Sequence, residues 1–366
     1  MLKALRILVS FLIPFGIFSG SSALAAEKSI NLYSMDDVDS NYWAYDALER
    51  FLYADIIDGY VEKAKDTVDG NISVSIKPDN TITRAQFTKI LVNAMNLKAV
   101  NTVEKSFPDV KPADWYYEYV QIASSRGIVN GKNDGTFHPH DKITRDQMAV
   151  MIYRAFQPSV NFSALGKAFP DVPKGHFAYE AIVKTAAAGI VQGYGAVFKP
   201  GNDATRAQAA VMIDRALHLE TGTNADKNSV IQTVNRNIAD EMKFTEQKNI
   251  ESLRTLYRDT TIGYHLAYSL DSINMVNGAK DFDGSLTMEQ AGEPTIKAVS
   301  VNKRFAEARI DNLRYKLSMS EPDMSLNMTI DMSGTAYLKK SDDGIWRIYN
   351  IVLDEDDCNC EQTEAN

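Results

Sequence analysis

Three arginines occupy matching positions in this 366-residue chain, each inside the signature Thr-Arg-x-Gln. They are Arg84, Arg145 and Arg206, and the two intervals between them have the same length. A guanidinium beside the free amides at the start of a helix can hold a carboxylate or a phosphate. The repeated arginine therefore indicates anion recognition in which the helix-start amides share the charge of the ligand.

The threonine and glutamine of the signature have a structural explanation. Threonine as N-cap with glutamine three residues later forms a capping box, in which each residue bonds the backbone of the other. The predicted pairs are Thr83 and Gln86, Thr144 and Gln147, and Thr205 and Gln208.

The capping box leaves the arginine unexplained, since a cation in the first helical turn opposes the helix dipole by about 0.3–1 kcal/mol. Two interpretations stay open, of which the residues favour the first. Each arginine binds an anion, or each pairs with an aspartate of another unit, namely Asp37, Asp109 or Asp171.

The signature closes a unit that the chain contains three times. The motif F-P-D-V at 107–110 returns at 169–172 and, more loosely, as M-D-D-V at 35–38. An aromatic residue follows the aspartate by six positions in every copy: Trp43, Trp115 and Phe177. Such a period is typical of a supersecondary unit that buries its apolar face against its neighbours. We predict repeats at 33–97, 104–157 and 166–219.

Each unit is predicted to hold two helices around a turn-rich loop. In the second copy the first helix covers 115–125, with Trp115 on its buried face, and Gly127 is suited to end it. The second helix begins at Thr144. The first copy is longer, and its extra residues fall between the helices at 59–78, where a loop tolerates insertion.

The first 25 residues have a different character. Lys3 and Arg6 precede the apolar run 7–18, and Ala23-Leu24-Ala25 follows, which is typical of a cleaved secretory signal peptide. A retained membrane anchor is the alternative, but a span needs ~20 apolar residues and this run is shorter.

The net charge and the number of cysteines limit which classes of partner the chain can bind. The net charge is −9 without a basic cluster, which argues against a nucleic-acid partner. Cys358 and Cys360 lie in the acidic tail 355–366, predicted to be exposed; they offer too few ligands for a metal, and intermolecular disulfides stay open. No metal site and no cofactor are predicted.

The pattern changes after a predicted linker at 220–227. Residues 230–259 are predicted to be helical with a break, and the rest of 228–354 to form strands. Apolar and polar residues alternate over 326–332, and Asp342-Asp343-Gly344 predicts a hairpin turn into 345–352. This order indicates an α+β domain with an antiparallel sheet.

The three units resemble S-layer homology (SLH) repeats, on the F-x-D-V motif, the aromatic residue six positions later, the N-D-G-x-F loop and the I-T-R signature. The resemblance implies an all-α trimer of repeats, a pseudo-threefold helical bundle, followed by the α+β domain. It also implies a secreted bacterial surface protein, held in the cell wall or S-layer by a secondary cell wall polysaccharide, often pyruvylated.

By the same resemblance the arginines are the anion-binding positions, and the residues that line or brace the grooves are Asp37, Asp109, Asp171, Trp43 and Trp115. The chain departs from the family in that Gln86, Gln147 and Gln208 replace the usual acidic residue, and the third copy has Phe177 for tryptophan. One or two working grooves are therefore expected.

Residues 228–354 resemble, more weakly, the nuclear-transport-factor-2-like or SnoaL-like cone fold, in which helices precede a curved antiparallel sheet. Such folds host enzymes and binding modules alike. The predicted pocket residues are Tyr257, Tyr264, His265 and Asp271. We expect a binding domain; the alternative is a wall-anchored enzyme, which a pocket carboxylate or histidine with a shifted pKa would favour.

Overall fold

The structure is a computed structural model that describes residues 27–63, 72–100, 106–163, 166, 168–278, 285–321 and 324–354. The predicted signal peptide and the acidic tail with Cys358 and Cys360 lie outside these residues. The chain divides into two compact units. The repeat unit holds 34–52 and 56–221, and the C-terminal unit holds 27–33, 53–55 and 222–354.

Each repeat contributes two helices, as predicted, because its apolar residues recur at helical spacing. In α2, for example, Phe87, Ile90, Leu91 and Ala94 form one buried face. Helix α2 packs against α3 and α6, and α4 packs against α5 and α6. The bounds are α1 Tyr45–Tyr53, α2 Arg84–Ala94, α3 Tyr117–Ser125, α4 Arg145–Phe156, α5 Tyr179–Ala187 and α6 Arg206–His218.

The long loop of the first repeat contains a short hairpin, where the sequence predicted a plain loop. Strands β1 (Tyr60–Lys63) and β2 (Ile72–Ser75) pair antiparallel, with Tyr60 opposite Ser75. Val74 is buried at the centre of β2. The described part of the insertion is therefore held by strand pairing and by the burial of Val74.

The prediction that Trp115 lies on the buried face of its helix is wrong. Helix α3 begins at Tyr117, and the amide of Tyr117 closes a turn on the carbonyl of Asp114. This turn directs Trp115 outward, with 54% of its surface exposed, while Tyr116 takes the buried position. Trp43 (59%) and Phe177 (70%) are exposed in the same way.

Three helices begin the C-terminal unit: α7 (Asn224–Glu246), α8 (Ile250–Thr260) and α9 (Gly263–Gly278). The predicted break falls between α7 and α8, where Asn249 caps α8 by accepting the amide of Ser252. Two predictions were wrong. Helix α7 begins inside the predicted linker, since Thr223 and Asp226 form a capping box there, and α9 occupies residues predicted as strands.

Two antiparallel sheets follow, one in the order β3-β6-β7 and one in the order β4-β5-β8-β9. The strand predicted from the alternation over 326–332 corresponds to β7, and the next strand, β8, belongs to the other sheet. The strands are β3 Ser285–Gln290, β4 Thr295–Val301, β5 Phe305–Asp311, β6 Arg314–Glu321, β7 Met324–Asp331, β8 Gly334–Lys340 and β9 Trp346–Leu353.

The core of the C-terminal unit lies between α7 and the sheets. Val230, Val234 and Ile238 recur along one face of α7 and pack in one cluster with Leu338 and Trp346. The α+β class is as predicted, while the cone-like fold stays a prediction. Across the described residues, no helix has both the length and the apolarity that a membrane crossing demands.

Candidate functional site

The three signatures meet in a closed ring of backbone hydrogen bonds. The amide of Ile82 donates to Ala204 O (3.1 Å), that of Ile143 to Ile82 O (3.0 Å), and that of Ala204 to Ile143 O (2.8 Å). Each of these residues directly precedes the threonine of its signature. The ring therefore brings the three second helices together at their N-termini.

The first amides of these helices are bonded to the loops of other repeats. The amides of Arg84, Arg145 and Arg206 donate to carbonyl oxygens at 2.9–3.0 Å, those of Asp141, Asn202 and Asn80. The next amides donate in the same order to Pro139, Pro200 and Pro78. The prediction that these amides share the charge of a bound anion is wrong, because the fold itself uses them.

The capping box forms in two of the three signatures. The amide of Gln86 donates to Thr83 Oγ1 (3.2 Å) and that of Thr83 to Gln86 Oε1 (2.9 Å). Thr205 and Gln208 form the same reciprocal pair.

At the start of α4, which the structure describes, Thr144 and Gln147 do not form the predicted capping box. The second repeat has Asp146 where the others have alanine, and its carboxylate accepts both the Thr144 hydroxyl and the Gln147 amide. The Gln147 side-chain oxygen accepts from Arg84 Nη1 instead, at 3.0 Å.

The three arginines are 3–7% exposed and bond across the boundaries between repeats. Arg84 Nε donates to Phe137 O (2.9 Å), Arg145 Nε to Phe198 O (3.0 Å), and Arg206 Nη2 to Asp58 O (2.5 Å). Burial lowers the pKa of each guanidinium, and an aspartate of the adjoining repeat opposes this. The alternative ion pairs with Asp37, Asp109 and Asp171 are not found among the described contacts.

The three aspartates hold the loops that the arginines contact. Asp109 accepts the amides of Phe137 (2.8 Å) and His138 (2.7 Å), and His138 has a left-handed φ of 57°. In the same way, Asp37 accepts the amides of residues 76 and 77, and Asp171 accepts those of residues 198 and 199. A left-handed non-glycine residue is strained, so the paired hydrogen bonds stabilise the turn. Burial alone would raise the pKa of Asp109 and Asp171, but the backbone amides bring it below the usual value.

Each exposed aromatic ring is connected through intermediate residues to the backbone of an arginine of another repeat, or to a residue next to it. Trp43 packs on Tyr42, and the Tyr42 hydroxyl donates to Asp79. The carbonyl oxygen of the next residue, Asn80, accepts the amide of Arg206. Trp115 packs on Tyr116, which contacts His140 beside the loop that accepts the amide of Arg84.

Phe177 stacks on His176, whose Nε2 lies 3.5 Å from Asp146 Oδ2, next to Arg145. We name these pairs after the grooves that the family resemblance implies: groove A (Arg206 with Trp43), groove B (Arg84 with Trp115) and groove C (Arg145 with Phe177).

The grooves differ in how many arginine nitrogens the protein occupies. Arg145 donates from all three nitrogens to the protein, to Phe198 O, Gln192 O and, at 3.5 Å, Gln208 Oε1. Its guanidinium also lies 4.8 Å and 4.5 Å from the rings of Tyr194 and Phe198. Within the described residues, nothing accepts from Arg84 Nη2 or from Arg206 Nη1, and Arg206 Nε is buried without an acceptor as well. Grooves A and B therefore keep a donor for a ligand.

A second candidate site is a cavity of about 200 Å³ within the C-terminal unit. Tyr257, Tyr264 and His265 line it, as predicted. The prediction for Asp271 is wrong, because Asp271 is not among the lining residues. The sequence analysis missed Glu241, which does line the cavity.

Glu241 is the one acidic residue among the described residues that line the cavity. The Tyr257 hydroxyl donates to Glu241 Oε1 at 2.7 Å. Burial raises the pKa of Glu241, and both burial and the carboxylate raise that of Tyr257 well above its usual value. The position of Glu241 in the sequence could have indicated its burial. It follows Ile238 by three residues and so falls on the buried face of α7.

Comparison with known proteins assigns the repeats. The S-layer homology domain model matches residues 34–88, 106–149 and 168–210. Similar proteins include the middle cell wall protein of Brevibacillus brevis, 26% identical over 66% of this chain and 20% of its own length. The surface-layer 125 kDa protein of Lysinibacillus sphaericus is 25% identical over 73% of this chain and 26% of its own length.

An endoglucanase of Bacillus sp. (strain KSM-635) is also similar, 27% identical over 59% of this chain and 22% of its own length. The chain spans about a quarter or less of these relatives, and the likeness to the enzyme passes through its S-layer homology region. The family and the relatives indicate a secreted, cell-wall-associated surface protein. This chain therefore carries three S-layer homology domains within residues 34–210.

Proposed function

We propose that the repeat unit anchors this protein non-covalently to a secondary cell wall polysaccharide that carries carboxylates, such as ketal pyruvate. The C-terminal unit is then a small binding domain displayed at the surface. The net charge of −9 argues against a nucleic-acid partner.

One observation carries the anchoring proposal: in every repeat an exposed aromatic ring is connected, through intermediate residues, to the region of a buried arginine of another repeat. An exposed ring offers an apolar face to a sugar, and a guanidinium pairs with a carboxylate by charge-assisted hydrogen bonds. The aspartates act through the loops they hold, so their role is to position the groove. The ring of hydrogen bonds at Ile82, Ile143 and Ala204 supports a pseudo-threefold bundle as the frame.

The grooves are proposed to differ in use. Grooves A and B keep arginine nitrogens without a protein acceptor in the described structure and have tryptophan as the exposed ring. Groove C has a fully engaged Arg145 and the smaller ring of Phe177. Polymer binding is therefore assigned to grooves A and B.

The test uses the chain from Ala26 onward and purified cell walls. The protein is sedimented with the walls before and after mild acid, which removes ketal pyruvate. Loss of binding after the acid treatment is the expected result. Undiminished binding would show that the arginines have no ketal carboxylate to bind and that the anchor uses another ligand.

The alternative function is a wall-anchored enzyme with its active site in the C-terminal cavity. The observation that favours it is Glu241, a buried carboxyl with a raised pKa, which is a property of general acids. This alternative predicts that the protein releases soluble sugars or amines from purified walls and that Glu241→Gln abolishes the release. If neither the unaltered protein nor Glu241→Gln changes the walls, that result would count against the enzyme alternative.

A further inference from the structure

We propose that the cavity of the C-terminal unit binds a small organic cation, an amine with an apolar body, whose ammonium group pairs with Glu241. The inference rests on the proposed role of this unit as a binding domain and names the class of its ligand. It assigns to the displayed domain a partner that is chemically unlike the wall polysaccharide.

The size of the cavity limits the ligand. A cavity of about 150 Å³ accommodates benzene, so the 200 Å³ found here suits a molecule of roughly eight to ten non-hydrogen atoms. A glycan chain or a folded peptide is far larger. The occupant is therefore a single small molecule or one side group of a larger one.

The charge of the lining disfavours an anion. Glu241 lines the cavity, and the described lining residues include no lysine and no arginine. A bound carboxylate or phosphate would lie in an apolar cavity near a carboxyl, with the imidazole of His265 as the one basic side chain among the described lining residues. A neutral or cationic ligand fits this lining.

The hydrogen bonding of Glu241 favours the cation. Tyr257 donates to Oε1, and none of the described residues donates to Oε2. Glu241 is surrounded by protein but borders the cavity, so part of its surface is exposed to the cavity. A buried carboxylate with one donor is costly to ionise, and a cation bound at Oε2 would offset that cost.

The rest of the lining suits the two parts of such a ligand. Tyrosine rings at 257, 264, 268 and 315 border the same cavity, and the faces of aromatic rings attract ammonium groups. Ile238, Leu253, Ile310 and Leu313 supply an apolar wall for the body of the molecule.

Three probes of nearly equal size test the inference: benzylamine, benzyl alcohol and benzoate. Each is titrated at neutral pH into the chain from Ala26 onward, and binding is followed by calorimetry or by protein NMR. Benzylamine should bind about tenfold more tightly than benzyl alcohol, since a desolvated ammonium gains from both the carboxylate and the rings. Benzoate should not bind.

Two variants locate the effect. Glu241→Gln should remove the preference for benzylamine and leave the affinity for benzyl alcohol unchanged. Glu246→Gln removes a carboxylate from the exposed surface of the same helix and should change neither affinity. The comparison of the three probes on the unaltered protein needs no variant, so it decides the question even where Glu241→Gln does not fold.

The outcomes separate the two claims. Equal affinity for benzylamine and benzyl alcohol, or a preference that survives Glu241→Gln, overturns the cation assignment and leaves the binding cavity standing. Failure of all three probes to bind overturns the cavity as a ligand site and with it the proposed binding role of the C-terminal unit. Wall anchoring by the repeat unit is unaffected by either result.

Discussion

Arg84 and Asp109 hold the same residue from opposite sides of its backbone. Arg84 Nε donates to the carbonyl oxygen of Phe137 at 2.9 Å, and Asp109 Oδ1 accepts the amide of Phe137 at 2.8 Å. The arginine comes from the first repeat and the aspartate from the second. The two charged side chains are therefore joined through a loop and not by a direct ion pair, so that each groove depends on two repeats.

The exposed rings should affect wall binding without affecting folding. Trp43→Ala and Trp115→Ala are each expected to lower affinity for purified walls about tenfold or more, because a large aromatic contact is lost. Their surface exposure limits the loss in the free energy of unfolding to about 0.5 kcal/mol. Sedimentation with walls and urea unfolding measure the two quantities.

Phe177→Ala is the matched control for this experiment, since Phe177 is the exposed ring of groove C. It should leave wall binding nearly unchanged. A loss as large as that of the tryptophan variants would show that groove C works as well, and unchanged binding by all three variants would remove the aromatic contact from the mechanism.

Arg84 should contribute to stability as well as to binding. Arg84→Ala leaves Phe137 O and Gln147 Oε1 without their donor, which should lower the free energy of unfolding by about 1–3 kcal/mol. Lys89→Ala, on the same helix, breaks a surface ion pair with Asp58 and should cost under about 1 kcal/mol. Urea unfolding of both variants is the measurement; equal costs would contradict the structural role of Arg84.

The threonine caps should differ in their energetic contribution. Thr83→Ala and Thr205→Ala remove a side-chain cap and should each cost about 1 kcal/mol of unfolding free energy. Thr144→Ala should cost less, because Asp146 continues to accept the amide of Gln147. Thermal unfolding ranks the three variants, and a Thr144→Ala protein as unstable as the other two would contradict this account of the second repeat.

Acid should destabilise the repeat unit through its loop aspartates. The folded-state pKa of Asp109 and Asp171 is lower than the usual value of about 3.9. A lowered pKa means that the stabilisation is present above about pH 4 and is lost as the pH falls through the folded-state values. Asp109→Asn should make unfolding less dependent on pH in this acid range.

The control for this series is Glu118→Gln, a charge change on the exposed surface of α3. It should leave the acid dependence as in the unaltered protein. Measured unfolding curves between neutral and acid pH that coincide for Asp109→Asn and the unaltered protein would contradict the role given to the Asp109 carboxylate.

Local sequence patterns predicted the helices of the repeats, two of the three capping boxes and the order of helices before strands in the C-terminal unit. These features depend on residues a few positions apart, so spacing alone reveals them. The missing box at Thr144 shows the limit of the pattern, because a carboxylate at Asp146 competes for the same amide. Helix α9 was missed for a related reason: its pattern did not distinguish it from a buried strand.

The sequence by itself determined the threefold repetition, the resemblance of the repeats to S-layer homology domains and the positions of the arginines, aspartates and aromatic rings. Only the tertiary structure decided what these side chains contact, because every hydrogen-bond acceptor of the Arg84, Arg145 and Arg206 guanidinium groups lies more than forty residues away in the chain. The same holds for Glu241, whose raised pKa comes from burial among helices and strands brought together by folding. Burial and long-range hydrogen bonding are properties of the packed chain, and no local pattern contains them.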